Sequence, residues 1–201
     1  MNFASAVIVA VLALGWSISA QKATDGPAFS PSGELLRPQN YREWVFLTSG
    51  LGMTYGPAAE NASPRAPFFD NVFVNRSSYE AFVNTGRWPD KTMFILEGRR
   101  SLENVSINNG GRTQGERAFI EAAVKDVRRY NDTGGWGYFS FDSRDGLLNS
   151  VKPLPSTAAC YSCHANNTAV ENTFVQFYPE LFAIAKQKGT VKATYDPDKK
   201  P

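Results

Sequence analysis

The chain contains two cysteines and one histidine among its 201 residues, and all three lie in one pentapeptide, Cys160-Tyr161-Ser162-Cys163-His164. Thiol and imidazole groups are common metal ligands and nucleophiles, so chemistry of this kind is confined to a single place in the chain. A site that needs two histidines cannot be built. Any reaction that uses an imidazole must use His164 alone.

The spacing C-x-x-C-H is the covalent attachment signature of c-type haem. Two thiols three positions apart can reach the two vinyl groups on one edge of the porphyrin, and the imidazole that follows can donate a nitrogen to the iron. The sequence therefore predicts one covalently attached haem c, held by Cys160 and Cys163, with His164 as the metal ligand. A second histidine ligand is excluded because the chain has none.

Three other interpretations of the pentapeptide are weaker. A redox-active or disulfide-bonded C-x-x-C pair fits an exported protein, but its surroundings do not resemble a thioredoxin strand and helix. A closed zinc site needs four ligands, and the chain has no further cysteine or histidine to complete one. A chance grouping would require the only two cysteines and the only histidine to fall together.

The first residues predict export. Residues 3–14 are almost wholly apolar and small residues follow up to Ala20, which is typical of a secretory signal peptide over residues 1–20. The apolar run is shorter than the roughly 20 residues that a membrane span needs, so an uncleaved anchor is the less favoured alternative. We expect a periplasmic protein, because c-type haem is attached outside the cytoplasm.

Composition indicates one domain with short extensions. After the leader we expect a flexible tether rich in Gly, Pro and Ser over residues 21–36, a haem domain over 37–190 and a disordered polar tail over 191–201. The 42% hydrophobic content is enough for one ordinary core. The net charge of +2 provides no concentrated basic face, so nucleic acid is not an expected partner.

Local patterns within the domain predict an α+β fold. Apolar and β-branched runs indicate short strands, and Gly-rich or Pro-rich stretches separate them, including a long loop over residues 50–67. Residues 118–130 fit either a helix or a strand, and we favour a strand. Strands are predicted at 45–48, 70–74, 92–97, 118–130 and 136–141, and helices at 38–44, 76–85 and 179–188. We expect a single domain with a mostly antiparallel β-sheet and flanking helices.

Several motifs, taken in order, resemble the cytochrome P-460 family, which includes cytochrome c′-beta. They are Asn40-Tyr41-Arg42-Glu43-Trp44-Val45, Trp88-Pro89-Asp90 followed by Thr92, Val124-Lys125-Asp126, Gly135-Trp136, the C-x-x-C-H and Phe174-Val175-Gln176-Phe177-Tyr178-Pro179. The similarity runs from about residue 33 to residue 190, which is nearly all of the chain after the leader.

The resemblance implies a mostly antiparallel β domain with flanking helices, a homodimer and a five-coordinate c-type haem. Members of the P-460 branch oxidise hydroxylamine and nitric oxide in the periplasm and carry a lysine cross-linked to the porphyrin. Members of the c′-beta branch bind nitric oxide or carbon monoxide at an apolar distal face. The position that matches the cross-linking lysine, four residues after Thr92, is Leu96 in this chain, and leucine cannot form that bond.

Strand alternation then predicts which side chains face the haem. If Leu96 faces it, Phe94 does so as well, and Met93, Ile95 and Glu97 point to the other side. We therefore expect Phe94 and Leu96 to form an apolar distal wall, with plain core packing as their alternative role. Met93 is then disfavoured as an iron ligand.

Three functions are consistent with these features. The leading hypothesis is an exported mono-haem cytochrome that binds nitric oxide or another small diatomic at an open sixth position. The first alternative is an oxidoreductase that acts on hydroxylamine or nitric oxide and passes electrons to a redox partner protein. The second alternative is an electron carrier in which Met53, in the Gly-rich and Pro-rich loop, is the sixth ligand.

Overall fold

The computed structural model describes residues 25–54 and 67–198. The predicted signal peptide at 1–20 lies outside these residues, as does most of the predicted 50–67 loop. The helices are α1 (Arg76–Thr85), α2 (Ala159–Asn167) and α3 (Pro179–Gln187). The strands are β1 (Leu35–Leu36), β2 (Val45–Leu51), β3 (Phe68–Val74), β4 (Met93–Glu103), β5 (Arg112–Lys125), β6 (Trp136–Ser140), β7 (Asp142–Ser143), β8 (Gly146–Leu147) and β9 (Ser150–Val151).

Five of these strands form one antiparallel sheet in the order β2-β3-β4-β5-β6. Spatial order equals chain order, so each strand pairs with the next one along the chain. The ambiguous segment 118–130 forms the end of β5 as far as Lys125, and the residues that follow turn towards β6. The fold is α+β with a mostly antiparallel sheet, as the sequence predicts.

Alternation along β4 divides the apolar core between the two faces of the sheet. Met93 and Ile95 are fully buried on one face, where Leu35 and Phe139 also pack. Phe94 lies on the other face. All three helices contribute residues to that second face, including Phe82 from α1, Cys160 from α2 and Leu181 from α3. The helix that carries the C-x-x-C-H motif is therefore held against the Phe94 face of the sheet.

Two predicted helices are present, and one is reduced to a single turn. Helix α1 ends at Gly86, whose left-handed φ of 71° is the usual helix stop, and α3 begins at Pro179. The helix predicted from Pro38 is only a 3₁₀ turn at Tyr41–Glu43, because Trp44 is already extended and leads into β2. Within the described residues, no helix has both the length and the apolar character to cross a membrane.

Both ends of the domain are more closely packed than the sequence predicts. The tether expected over 21–36 is corrected for residues 25–36, because Leu35 is fully buried and pairs with Val151 of β9. The disordered tail expected over 191–201 is corrected for residues 191–198. There Tyr195 packs against the second core, and the Lys192 ammonium donates to the Ala165 carbonyl at 3.0 Å. A few apolar side chains inside each polar stretch account for the difference.

Candidate functional site

Helix α2 brings the three residues of the C-x-x-C-H motif to one cavity. Positions i, i+3 and i+4 of a helix share a face, so Cys160, Cys163 and His164 point the same way. All three side chains line a cavity of about 980 Å³ between α2, the segment that follows it and the Phe94 face of the sheet. The sequence did not predict α2, since its small residues alanine, serine and asparagine form no apolar stripe.

His164 is oriented by a backbone carbonyl. Its Nδ1 atom lies 2.8 Å from the carbonyl oxygen of Asn172. A carbonyl can only accept a hydrogen bond, so Nδ1 carries the proton and Nε2 keeps the lone pair that binds a metal. The ring packs between Tyr138 and Phe174, with centroid distances of 4.4 and 4.6 Å. Burial lowers the pKa of His164, which favours the neutral, metal-binding form.

Cys160 is in an environment that favours the thiol over the thiolate. Burial raises its pKa, and the nearby negative charge of Glu121 raises it further. Cysteines used in thiol–disulfide exchange have lowered pKa values, because the thiolate is the nucleophile. The surroundings of Cys160 therefore do not favour a thioredoxin-type redox pair.

Phe94 and Leu96 lie where strand alternation places them, on the wall of the same cavity. Met93 is fully buried in the core on the opposite face, so the sheet separates it from the cavity. Met53, at the end of the described part of the loop after β2, does line the cavity. Its sulfur packs directly over Gly50, where a β-carbon would come within 2.1 Å of it.

The cavity wall is not wholly apolar, which corrects the expectation from Phe94 and Leu96. Two carboxylates, Asp70 on β3 and Glu121 on β5, also line it. Glu121 is paired directly with Leu96 across the β4–β5 ladder, and Asp70 is paired with Gly98 on the other side of β4. Residues directly opposite each other share a face of the sheet, so the two carboxylates flank Leu96.

Burial perturbs both carboxylates. It raises the pKa of Asp70 to about 6, and it raises the pKa of Glu121 together with the negative charges of Asp142 and Asp70. None of the described residues that line the cavity is lysine or arginine. The sequence alone did not reveal this pair. The residues of β3 and β5 that share a face with Leu96 can be identified only when the pairing register of the three strands is known, and the sequence does not give that register.

A model of the cytochrome P460 family matches residues 38–175, which is more than half of the chain. The chain belongs to the cytochrome P460 family. The match includes the sheet, α2 and the segment that holds His164, so the family and the fold predicted from the sequence are confirmed. No curated protein matches the chain.

Members of the cytochrome P460 family are haem-binding cytochromes, and the cavity fits a haem. Its volume of about 980 Å³ lies at the upper end of the range for ligand and cofactor sites. Its walls combine aromatic and aliphatic side chains with two thiols and one imidazole, which are the donor groups that haem attachment and iron ligation use. The hydrogen bond from His164 Nδ1 to the Asn172 carbonyl leaves Nε2 available for iron, and both cysteines lie beside His164 on α2.

Proposed function

We propose that this cytochrome P460 protein is an exported, mono-haem c-type cytochrome in which Cys160 and Cys163 hold the haem and His164 binds its iron. The observation that supports this most strongly is the shared cavity wall, where the His164 ring is held by Asn172 with Nε2 unprotonated. Each thiol S–H would add across one vinyl C=C bond, sulfur to one carbon and hydrogen to the other. No oxidant is consumed in that addition.

The ligand we propose is nitric oxide or another small uncharged diatomic. If His164 were the only protein ligand of the haem iron, the haem would supply an iron that can bind such a molecule. The described cavity wall supplies apolar groups from Phe94 and Leu96, and it supplies no cationic side chain that would attract an anion. Asp70 and Glu121 would disfavour anionic ligands further through like-charge repulsion. We further propose a periplasmic homodimer that exchanges electrons with a redox partner protein.

Absorption spectra of the purified ferric and ferrous protein, with and without nitric oxide, test this proposal. We expect a high-spin spectrum before nitric oxide is added and a large change in the ferrous spectrum after it. Met53→Leu should leave both spectra unchanged. A low-spin, six-coordinate spectrum in both oxidation states would contradict the proposal. Conversion of that spectrum to high spin in Met53→Leu would establish the electron-carrier alternative.

The carboxylates support a second candidate, oxidation of hydroxylamine or a related nitrogen compound. Such an oxidation releases protons, and carboxylates whose pKa values are raised by burial can accept them near the reacting centre. Leu96 argues against this function, because a leucine cannot form the cross-link that the lysine makes in the oxidising branch of the family.

Steady-state oxidation of hydroxylamine by the haem-loaded protein, with an artificial electron acceptor, tests the second candidate. If the candidate is correct, Glu121→Gln and Asp70→Asn should each lower kcat by about 100-fold, the size of effect typical for a general base. Glu116→Gln is the matched control, because Glu116 lies on the same strand as Glu121 but does not line the cavity. Absence of turnover in the wild-type protein would discard this candidate.

A further inference from the structure

The carbonyl that orients His164 belongs to a tight turn after α2. The turn spans Val170 to Thr173 and is closed by the Thr173 amide, which donates to the Val170 carbonyl at 3.0 Å. Glu171 has a φ of 49° in this turn, in the left-handed region that residues other than glycine rarely adopt. Such a conformation persists only when surrounding contacts hold it. The residue next to it, Asn172, presents its carbonyl to His164.

Lys125 supplies such a contact. Its ammonium lies 2.7 Å from a carboxylate oxygen of Glu171, and the two side chains are only 15% and 19% exposed. The same ammonium donates to the Trp88 carbonyl at 2.6 Å. Lys125 is the last residue of β5, so the ion pair ties the strained turn to the end of a central strand.

Two further side chains, Thr168 and Trp88, connect the turn to its surroundings. The Thr168 hydroxyl lies 2.8 Å from the Glu171 carbonyl and 2.5 Å from the His164 carbonyl, which links the turn to the end of α2. The Trp88 indole donates to the Thr173 hydroxyl at 2.9 Å in a buried position. The turn is therefore held from both sides: Thr168 binds the backbone of the strained residue Glu171, and Lys125 binds its side chain.

We propose that Lys125 and Glu171 are positioning residues for His164: their ion pair holds the turn so that the Asn172 carbonyl stays against Nδ1. This inference rests on the proposed function, in which Nε2 of His164 binds the haem iron. A firmly held Nδ1–H···O bond fixes the tautomer and makes the imidazole a stronger electron donor. Loosening the turn weakens that donor, so the iron–histidine bond weakens and the ferrous state becomes easier to reach.

A pair of substitutions at Glu171 tests the proposal. Glu171→Ala removes the carboxylate and keeps a β-carbon in the left-handed conformation, whereas Glu171→Gly removes the carboxylate and relieves the strain. In the haem-loaded alanine variant we expect the iron–histidine stretching band of the ferrous protein to move to lower frequency. We also expect its reduction equilibrium to change by about tenfold, a positive shift of about 59 mV for one electron. The glycine variant should stay close to wild type.

Two substitutions at Lys125 provide a second test, which is needed if the Glu171→Ala variant fails to take up haem. Lys125→Met keeps a long side chain without its charge and should reproduce the alanine shifts, whereas Lys125→Arg should retain the wild-type values. Glu180→Ala, at an exposed position on α3, is the control for loss of one negative charge. Wild-type midpoint potential and band position in both Glu171→Ala and Lys125→Met would overturn the proposal.

Failure of the positioning role can be distinguished from failure of the proposed function. A six-coordinate wild-type spectrum would contradict the open ligand site while leaving the potential of each variant measurable. The comparison of Glu171→Ala with Glu171→Gly, or of Lys125→Met with Lys125→Arg, then still tests the positioning role. A normal five-coordinate spectrum with unshifted variants would contradict the positioning role alone.

Discussion

Replacing both Cys160 and Cys163 with alanine should abolish covalent haem attachment. The two thiols are the only ones in the chain, and both line the cavity beside His164. Denatured wild-type protein should carry one haem in its intact mass, whereas the denatured double variant should have the mass of the polypeptide alone. Each single variant should retain one bond and lose haem only in part. Intact-mass spectrometry of protein matured in the same host measures the difference.

Ser162→Ala is the matched control for this prediction. Ser162 lies between the two cysteines on α2, is exposed, and uses its hydroxyl only for a local bond to the Ala159 carbonyl at 3.1 Å. Its mass should equal that of wild type with one haem. Covalent haem in the double alanine variant, or a wild-type mass that corresponds to a Cys160–Cys163 disulfide without haem, would contradict the assignment of the motif.

Glu97→Gln should cause a large loss of stability, although Glu97 lies on the face of the sheet opposite to the cavity. Glu97 is fully buried and accepts hydrogen bonds from the Tyr41 hydroxyl, from Arg42 at 2.7 and 3.1 Å and from Arg99 at 2.5 Å. Glutamine keeps the shape but removes the charge that both guanidinium groups share. We expect the free energy of unfolding to fall by about 3 kcal/mol near neutral pH, measured by urea unfolding.

The effect of Glu97→Gln should depend on pH in a defined direction. Burial alone would raise the pKa of Glu97, but the hydrogen bonds from Tyr41, Arg99 and Arg42 outweigh it and hold the pKa at about 2. A carboxyl whose pKa is lower in the folded chain stabilises the protein above its unfolded pKa of 4.5, and this contribution is lost as the pH falls towards 2. The difference between wild type and variant should therefore shrink over that interval.

A control on the same sheet separates this effect from a general loss of negative charge. Glu116→Gln changes an exposed glutamate of β5 and should alter the free energy of unfolding by less than about 0.5 kcal/mol. A Glu97→Gln variant as stable as wild type near neutral pH, or a difference that grows on acidification, would contradict the role given to the buried carboxylate.

Much of the fold was predictable because its signals are local. The meander places consecutive strands side by side, so predicting the strands and their order already describes the sheet. The stop of α1 at Gly86 and the start of α3 at Pro179 follow from backbone preferences of single residues. The helix at Tyr41–Glu43 was overestimated, because its local helix signal was overridden by the strand that begins at Val45.

The candidate site also has features that local sequence predicts and features that only the fold determines. C-x-x-C-H is a contiguous motif, and its haem assignment needs no knowledge of the fold; the roles of its residues stay predictions until the variants are measured. Placement of Phe94 and Leu96 on one face needs only the alternation of a single strand. Asp70 and Glu121 were missed because their positions beside Leu96 depend on pairing between three strands. Register is set by the packing of whole side-chain rows, which no single segment encodes.

The groups that orient His164 are brought together by tertiary contacts. Asn172 follows His164 by 8 residues, and its neighbour Glu171 is 46 residues from its ion-pair partner Lys125. None of the three residues carries a recognisable motif for its role. The predicted haem attachment by Cys160, Cys163 and His164 rests on covalent chemistry at fixed spacing, and that spacing can be read from the sequence alone. Which groups line the cavity and hold the turn that orients His164 depends on distances between different segments of the chain. Those distances exist only once the sheet and its helices have packed.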